Sequence, residues 1–203
     1  KGFKQLITNL ITMTAKQKFE ILKPKIFMVE TILGCNLKCP ECAIGADIIQ
    51  RKKGTMSYTE FLTIADKIKP YCEYLYLHIW GEPTLNCDIY KIIEYASSFT
   101  RTNISTNANT LTEEKAEMLI KSGVNDLIVS IDGFSQKVYE KYRVGGSAKK
   151  ALLALKQLTD INQKLGGKVN ISPQFIVFKH NEHEMDAFKD FCHSIGLKPS
   201  FKS

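Results

Sequence analysis

The segment Gly34-Cys-Asn-Leu-Lys-Cys-Pro-Glu-Cys42 carries three cysteines in the spacing C-x3-C-x2-C. It follows Lys25–Leu33, a largely apolar run that predicts a buried strand, and Gly34 permits a tight turn between strand and loop. Closely spaced thiolates, normally four of them, hold iron–sulfur clusters. Because this loop supplies three and no fourth cysteine is near, it predicts a cluster with one open iron, which indicates chemistry rather than simple electron transfer.

The candidate metal ligands are therefore Cys35, Cys39 and Cys42. Zinc is the alternative, with a histidine or a further cysteine as fourth ligand. Zinc sites favour paired C-x2-C units, and in this loop only Cys39 and Cys42 form one, with no histidine nearby. The remaining cysteines are scattered, and we predict that they are buried or neutral thiols: Cys72, Cys87 and Cys192.

Strand-like and helix-like segments alternate along the rest of the chain, which predicts a parallel sheet with right-handed crossovers. After the first strand, strands are predicted at residues 74–79, 103–106, 126–131, 169–177 and 197–202. Pro173 predicts a bulge or bend in the fifth strand. The predicted fold class is α/β, a partial (β/α)6 TIM-like barrel of parallel strands, truncated at the C-terminus because the last strand is incomplete. The carboxyl ends of its strands should share one mouth with the cysteine loop.

Local signals place several helices between these strands. Ser57-Tyr-Thr-Glu60 is a capping-box pattern that predicts a helix to about Ile68. Thr112 is predicted to cap a helix that ends before Gly123. His78 lies within the second predicted strand, where a core histidine with satisfied hydrogen bonds is expected.

Composition excludes some classes of function. The chain has 203 residues, of which 44% are hydrophobic and 24% charged, enough for one substantial core. No apolar run approaches the ~20 residues of a membrane span, and no nucleic-acid motif is present. The net charge of +7 is spread along the chain, which predicts a solvated basic surface.

The first 24 residues differ from the rest. They place apolar side chains at three- and four-residue spacing: Phe3, Leu6, Ile7, Leu10 and Ile11. This spacing predicts an N-terminal amphipathic helix or extension packed on a core domain of residues 25–203, with a membrane-surface role as the alternative.

Motifs at the ends of successive strands resemble those of the radical S-adenosylmethionine (radical SAM) enzymes, as does the C-x3-C-x2-C loop itself. Trp80-Gly-Glu-Pro83 is similar to that family's Gly-Gly-Glu motif, with Trp in place of the first Gly. The series continues with Ser105-Thr-Asn107, Ser130-Ile-Asp-Gly133 and Tyr139-Glu-Lys-Tyr-Arg143. Together these motifs are similar to the branch that usually carries a C-terminal SPASM/twitch domain with auxiliary clusters.

The resemblance implies a [4Fe-4S] cluster on the three cysteines and S-adenosylmethionine chelated to its free iron. It places Gly81 and Glu82 at the methionine ammonium, with Pro83 stiffening their turn. It places Ser130 and Asp132 at the ribose or carboxylate and Arg143 at the carboxylate. It also implies contacts of Ser105 and Asn107 with the ribose or the substrate cavity, and of backbone near Val177 with adenine. The alternatives are plain turns for the glycine-containing motifs, capping for Ser105 and Asn107, and a surface salt bridge for Arg143.

The implied activity is reductive cleavage of S-adenosylmethionine to a 5′-deoxyadenosyl radical that abstracts hydrogen from a peptide, a protein or a small molecule. Such a cytoplasmic oxidoreductase would take its electron from a reductant such as flavodoxin or ferredoxin. Maturase, dehydrogenase and epimerase types all remain open. The alternative function is a non-catalytic iron–sulfur or zinc binding module.

Overall fold

The structure, a computed structural model, describes Ile7 and residues 23–203. The helix predicted for residues 1–24 lies almost entirely outside the described residues. Among the described helices, none combines the length and apolar character that crossing a membrane requires.

A six-stranded sheet organises the fold. Its strands, in their order across the sheet, are β1 (Ile26–Met28), β4 (Tyr74–Tyr76), β5 (Arg101–Thr106), β6 (Asp126–Ser130), β7 (Asn170–Ile176) and β8 (Ser200–Lys202). A separate antiparallel pair is formed by β2 (Ile32–Leu33) and β3 (Gly54–Thr55). Every pairing within the larger sheet is parallel. The predicted α/β class with parallel strands is therefore confirmed.

Helices connect successive strands of this sheet. They are α1 (Tyr58–Ile68), α2 (Ile89–Ser97), α3 (Glu113–Lys121), α4 (Gln136–Tyr142), α5 (Ala148–Lys164) and α6 (Met185–Ser194). Their apolar faces cover one side of the sheet, where Leu75, Ile104 and Leu127 are fully buried. Because successive residues of a strand face opposite sides, the intervening residues lie on the other side. That side includes Tyr76, Ser105 and Ser130.

The apolar run Lys25–Leu33 does not form one buried strand, so this prediction is wrong in part. Its first half is the edge strand β1, where Ile26 is 63% exposed, and its second half turns away to pair with β3. The break follows from tertiary hydrogen bonds. Thr31 Oγ1 donates to the Leu77 carbonyl at 3.0 Å, and Asn86 Nδ2 donates to the Thr31 carbonyl at 2.9 Å. These bonds hold the chain at Thr31, where it leaves β1 and continues toward the loop that carries the cysteines.

Pro173 causes no bulge, so that part of the predicted bulge or bend is wrong, since β6 and β7 stay in continuous register from Asp126–Asn170 to Ser130–Gln174. The Gln174 carbonyl accepts from Ile131 N–H, so Gln174 faces β6 and its neighbour Pro173 faces β8. Pairing of β7 with β8 begins only at Gln174 and Ser200. The missing N–H of Pro173 therefore falls where the ladder requires no donor.

The polar residues at the start of the strands form a network around Asp126 on β6. The carboxylate accepts two hydrogen bonds from Arg101 at 2.7 and 2.8 Å, one from the Tyr74 hydroxyl at 2.8 Å and one from Asn170 at 2.9 Å. These donors come from β5, β4 and β7, so the network ties four neighbouring strands at the end opposite the cysteine loop.

The capping box predicted at Ser57 is confirmed, because its hydroxyl accepts from Glu60 N–H and the Glu60 carboxylate accepts from Ser57 N–H. Replacing Ser57 by Ala should therefore lower the free energy of unfolding by about 1 kcal/mol. The matched control is Ser135→Ala, since Ser135 precedes α4 but makes no side-chain cap hydrogen bond. Urea denaturation of both variants measures the difference. Equal losses would contradict the assigned role of the cap.

Candidate functional site

The three loop cysteines border a cavity of about 160 Å³ at the carboxyl ends of the parallel strands. Most of the predicted site residues meet there: Cys35, Cys39, Cys42, Gly81, Glu82, Ser105, Asn107, Ser130 and Arg143. Its other walls come from Leu37, His78, Ile79, Trp80, Thr106 and Tyr142. A larger cavity of about 560 Å³ lies between the β2–β3 pair and α1, but no cysteine lines it.

Backbone contacts hold the cysteine loop in a compact shape. Cys42 N–H donates to the Cys39 carbonyl at 3.1 Å, and Lys38 N–H donates to the Val144 carbonyl at 2.9 Å. Gly45 packs against the same turn so closely that a Cβ there would lie 2.2 Å from the Cys39 carbonyl oxygen. Only glycine fits at such a distance, and the loop is therefore fixed by packing as well as by hydrogen bonds.

Burial changes the acid–base properties of these thiols. Desolvation raises the pKa of Cys39 to about 11, although the nearby Arg143 charge opposes this change. Desolvation also raises the pKa of Cys35. Both thiols are therefore protonated at neutral pH in the metal-free protein, and binding of a metal must displace their protons.

The donor set of the loop fits a cluster that binds each thiolate to a different iron. Three soft sulfur ligands come from one short segment, which is the ligand type that iron–sulfur clusters require. Among the described residues, no three His, Cys, Asp or Glu side chains are grouped closely enough to hold a single metal ion.

Glu82 is a buried carboxylate that hydrogen bonds hold in the turn after β4. It is 3% exposed, and its Oε1 accepts from the Thr84 and Thr106 hydroxyls at 2.6 and 2.7 Å and from Thr84 N–H at 3.2 Å. Its Oε2 accepts from Asn107 N–H at 2.7 Å. Four donors therefore surround this carboxylate, three of them at Oε1 and one at Oε2. Glu82 therefore joins the turn after β4 to the end of β5, and its contact with a methionine ammonium stays a prediction.

Gly81 and Pro83 shape the same turn. A Cβ on Gly81 would lie 2.0 Å from the Ile32 carbonyl oxygen, so only glycine allows this turn to pack against β2. Pro83 is buried and begins a short 3-10 helix, Pro83–Leu85, without reaching the cavity. The turn thus joins the second strand of the sheet to the segment that enters the cysteine loop.

Asp132 and Arg143 form a buried ion pair, which excludes the surface salt bridge that the sequence left open for Arg143. Asp132 is completely buried, and its Oδ2 accepts from Arg143 Nε at 2.5 Å while its Oδ1 accepts from Ile176 N–H at 2.6 Å. Burial raises the pKa of Asp132, and the Arg143 charge opposes this rise. Asp132 therefore lies behind the cavity and orients Arg143, whose Nη1 lies 3.9 Å from Cys39 Sγ.

The remaining predicted contacts fall in different places. The Ser105 and Ser130 hydroxyls lie 3.5 Å apart on β5 and β6 and face the cavity. Asn107 is 4% exposed, and its Nδ2 donates to Cys35 Sγ at 3.7 Å and to Asn36 Oδ1 at 3.0 Å. Val177 does not border the cavity, and its N–H donates to the Lys202 carbonyl. The adenine contact near Val177 stays a prediction.

His78 was expected to be a satisfied core histidine, and the structure shows otherwise. Its ring borders the cavity, its Nδ1 is buried without a hydrogen-bond partner, and burial lowers its pKa to about 4. The imidazole is therefore neutral at physiological pH. The strand alternation carried this signal, because His78 shares a face with Tyr74 and Tyr76 rather than with the buried Leu77.

Sequence reasoning also missed the aromatic wall beside the loop. Tyr142 packs in a small apolar cluster with Leu37 and Cys39, and its ring lies 4.7 Å from the ring of Phe178. Burial raises the pKa of Tyr142 to about 12. The position of Tyr142 next to Arg143 in the sequence did not indicate that both side chains border one cavity. This arrangement arises only at the end of α4.

Comparison with known proteins identifies the family. A sequence profile of the Radical SAM superfamily matches residues 29–192. Mycofactocin maturase MftC of Mycobacterium ulcerans (strain Agy99) is 28% identical over 169 residues, which are 82% of this chain and 44% of that protein. The AdoMet-dependent heme synthase of Nitratidesulfovibrio vulgaris is 25% identical over 174 residues, 85% of this chain and 46% of that protein. The chain thus spans less than half the length of these curated relatives.

Solved structures share the fold. Streptococcus suis SuiB bound to S-adenosylmethionine superposes with a TM-score of 0.75 at 18% identity, over 100% of this chain and 47% of SuiB. SuiB bound to the precursor peptide SuiA gives a TM-score of 0.74 at 19% identity, over 93% of this chain and 42% of SuiB. At these identities the likeness shows the fold alone. Because the family profile covers most of the chain, including the cysteine loop, this chain belongs to the radical SAM superfamily, whose enzymes use a [4Fe-4S] cluster and S-adenosylmethionine.

Proposed function

We propose that this chain is the part of a radical SAM enzyme that cleaves S-adenosylmethionine reductively and directs the resulting radical at a peptide. The observation that carries the proposal is the convergence of three thiols from one loop with Glu82, Ser130 and Arg143 at one cavity. Cys35, Cys39 and Cys42 would hold the cluster, which when bound would supply one electron for cleavage of S-adenosylmethionine to methionine and a 5′-deoxyadenosyl radical.

The protein's contribution begins with binding of the cofactor's charged end. Arg143 offers its Nη groups to the cavity because Asp132 already holds Nε. A guanidinium fixed in this way suits the planar carboxylate of a methionine moiety. The ion pair therefore prepares the site before the cofactor arrives, which lowers the ordering cost of binding.

The rest of the cavity orients the nucleoside and excludes water. The paired hydroxyls of Ser105 and Ser130 offer donors and acceptors for a ribose. Leu37, Ile79 and Tyr142 add apolar walls beside the thiols. Such walls protect a reactive radical from side reactions with water.

A peptide is the proposed substrate class. The support comes from relatives, since MftC is named a maturase and SuiB has been crystallised with a precursor peptide. A small molecule is the second candidate, because the AdoMet-dependent heme synthase is also similar to this chain. We also propose flavodoxin or ferredoxin as reductant, a cytoplasmic location, and membership of the SPASM/twitch branch, which rests on the strand-end motifs.

The proposal predicts 5′-deoxyadenosine as a product. Protein reconstituted anaerobically with iron and sulfide should form it from S-adenosylmethionine and dithionite, as measured by mass spectrometry. Cys39→Ala should lose the product and the brown colour, whereas Cys87→Ala should retain both, since Cys87 is exposed and borders no part of the cavity.

The non-catalytic alternative makes the opposite prediction. An intact four-iron cluster without 5′-deoxyadenosine would contradict the proposed activity and support an iron–sulfur binding module. Zinc in place of iron, found by metal analysis of the purified protein, would support a zinc module.

A further inference from the structure

The sulfur atoms of the three cysteines differ in the hydrogen-bond donors that they meet. Cys35 Sγ accepts from Leu37 N–H at 3.4 Å and from the Asn107 carboxamide at 3.7 Å. Cys39 Sγ lies 3.9 Å from Arg143 Nη1. Within residues 23–203, no donor to Cys42 Sγ is found. The donors are therefore concentrated at Cys35 and Cys39 rather than at Cys42.

Asn107 is held so that its amino group faces Cys35. Its Oδ1 accepts from Asn109 N–H at 2.9 Å, which assigns the oxygen and nitrogen ends of the carboxamide. Its Nδ2 also donates to Asn36 Oδ1 at 3.0 Å, and its own N–H donates to Glu82. With 4% of the residue exposed, this side chain has little freedom to turn away.

Hydrogen bonds to the sulfur ligands of a cluster change its reduction potential. Addition of an electron makes the cluster and its thiolates more negative, and a nearby N–H donor stabilises that charge. A donor on one thiolate therefore favours the reduced form and raises the potential. The effect is greatest where water is excluded, as it is around Asn107.

We propose that Asn107 is a positioning residue that raises the reduction potential of the cluster by donating from its carboxamide to Cys35. This role rests on the proposed function, because it needs a cluster on the loop. It differs from the ribose or substrate contact predicted from the sequence, since the carboxamide donates to Cys35 Sγ and to Asn36 Oδ1. In a redox titration, dithionite would supply the one electron that reduces the oxidised cluster.

The test is a redox titration of the reconstituted protein, followed by electron paramagnetic resonance without S-adenosylmethionine. Asn107→Leu keeps the approximate shape and removes the donor. We expect its midpoint to fall by about 59 mV, which is a tenfold change in a one-electron equilibrium. Ser105→Ala is the matched control, because Ser105 borders the same cavity and contacts no cysteine sulfur. Its midpoint should equal that of the unaltered protein.

Asn107→Asp is the second variant, in case the leucine protein does not fold. It keeps an oxygen for Asn109 N–H, removes the donor and adds a negative charge, so its midpoint should fall at least as far. An unchanged midpoint in a variant that carries a full cluster would overturn the inference, as would an equal fall in Ser105→Ala. Absence of a cluster from the unaltered protein would instead overturn the proposed function, and iron and sulfide analysis distinguishes that result.

Discussion

Replacing Arg143 by Met should lower the free energy of unfolding by about 3–5 kcal/mol, because it leaves a buried carboxylate without its charge partner. Asp132 is completely buried, and the Arg143 side chain is 13% exposed, so water replaces little of the lost interaction. Urea denaturation of the metal-free protein measures the change. Lys156→Met is the control, since the Lys156–Asp160 pair is a solvent-exposed i,i+4 pair on α5 whose loss should cost well under 1 kcal/mol.

A double-mutant cycle separates the ion pair from the packing of the two side chains. Asp132→Asn retains an oxygen for Ile176 N–H but removes the charge, leaving Arg143 unpaired. The double variant Asp132→Asn/Arg143→Met has no unpaired buried charge, so it should be more stable than the sum of the two single losses predicts. Strictly additive losses would contradict a direct interaction between these side chains.

The second large effect is expected at Gly81. A Cβ at this position would lie 2.0 Å from the Ile32 carbonyl oxygen and 3.0 Å from the Gly34 carbonyl oxygen, both of which are backbone atoms. Gly81→Ala must therefore displace either the turn after β4 or the segment that enters the cysteine loop. We expect a loss of about 3 kcal/mol in unfolding free energy, together with reduced iron content after reconstitution.

Gly54→Ala is the matched control for Gly81→Ala. Gly54 lies on β3, and nothing is found within 4 Å of a Cβ placed there. Its stability should change by no more than about 0.5 kcal/mol. Wild-type stability and iron content in Gly81→Ala would show that the turn can move without cost, which contradicts the geometry.

Local signals in the sequence were sufficient where the interaction is local. The capping box at Ser57 joins residues three positions apart, and the Thr112 hydroxyl accepts from Lys115 N–H as the pattern predicts. The cysteine loop is also local, so its three candidate ligands could be named directly. The shared mouth followed from the rule that parallel strands align their carboxyl ends, and that rule places Ser105 and Ser130 at the cavity that the loop borders.

Predictions that depended on distant partners were less successful. The split of Lys25–Leu33 depends on Leu77 and Asn86, which the run itself cannot reveal. The donors that fix Glu82 were also missed, since Thr106 and Asn107 lie 24 and 25 positions further along the chain, and its contact with a ligand stays a prediction. His78 was assigned to the core because its neighbours in the sequence are apolar. Strand alternation instead places its side chain at the cavity. Long-range hydrogen bonds decided the first two outcomes and are not encoded within a short window, whereas the alternation that places His78 was present in the sequence.

We propose that Cys35, Cys39 and Cys42 hold a four-iron cluster whose remaining iron is open to S-adenosylmethionine. The most direct test records the electron paramagnetic resonance spectrum of the dithionite-reduced protein before and after S-adenosylmethionine is added. A ligand that binds the open iron changes the environment of the cluster spin, so the spectrum should change on addition. An identical spectrum with and without the cofactor, in protein that carries a full complement of iron and sulfide, would contradict binding of S-adenosylmethionine at an open iron.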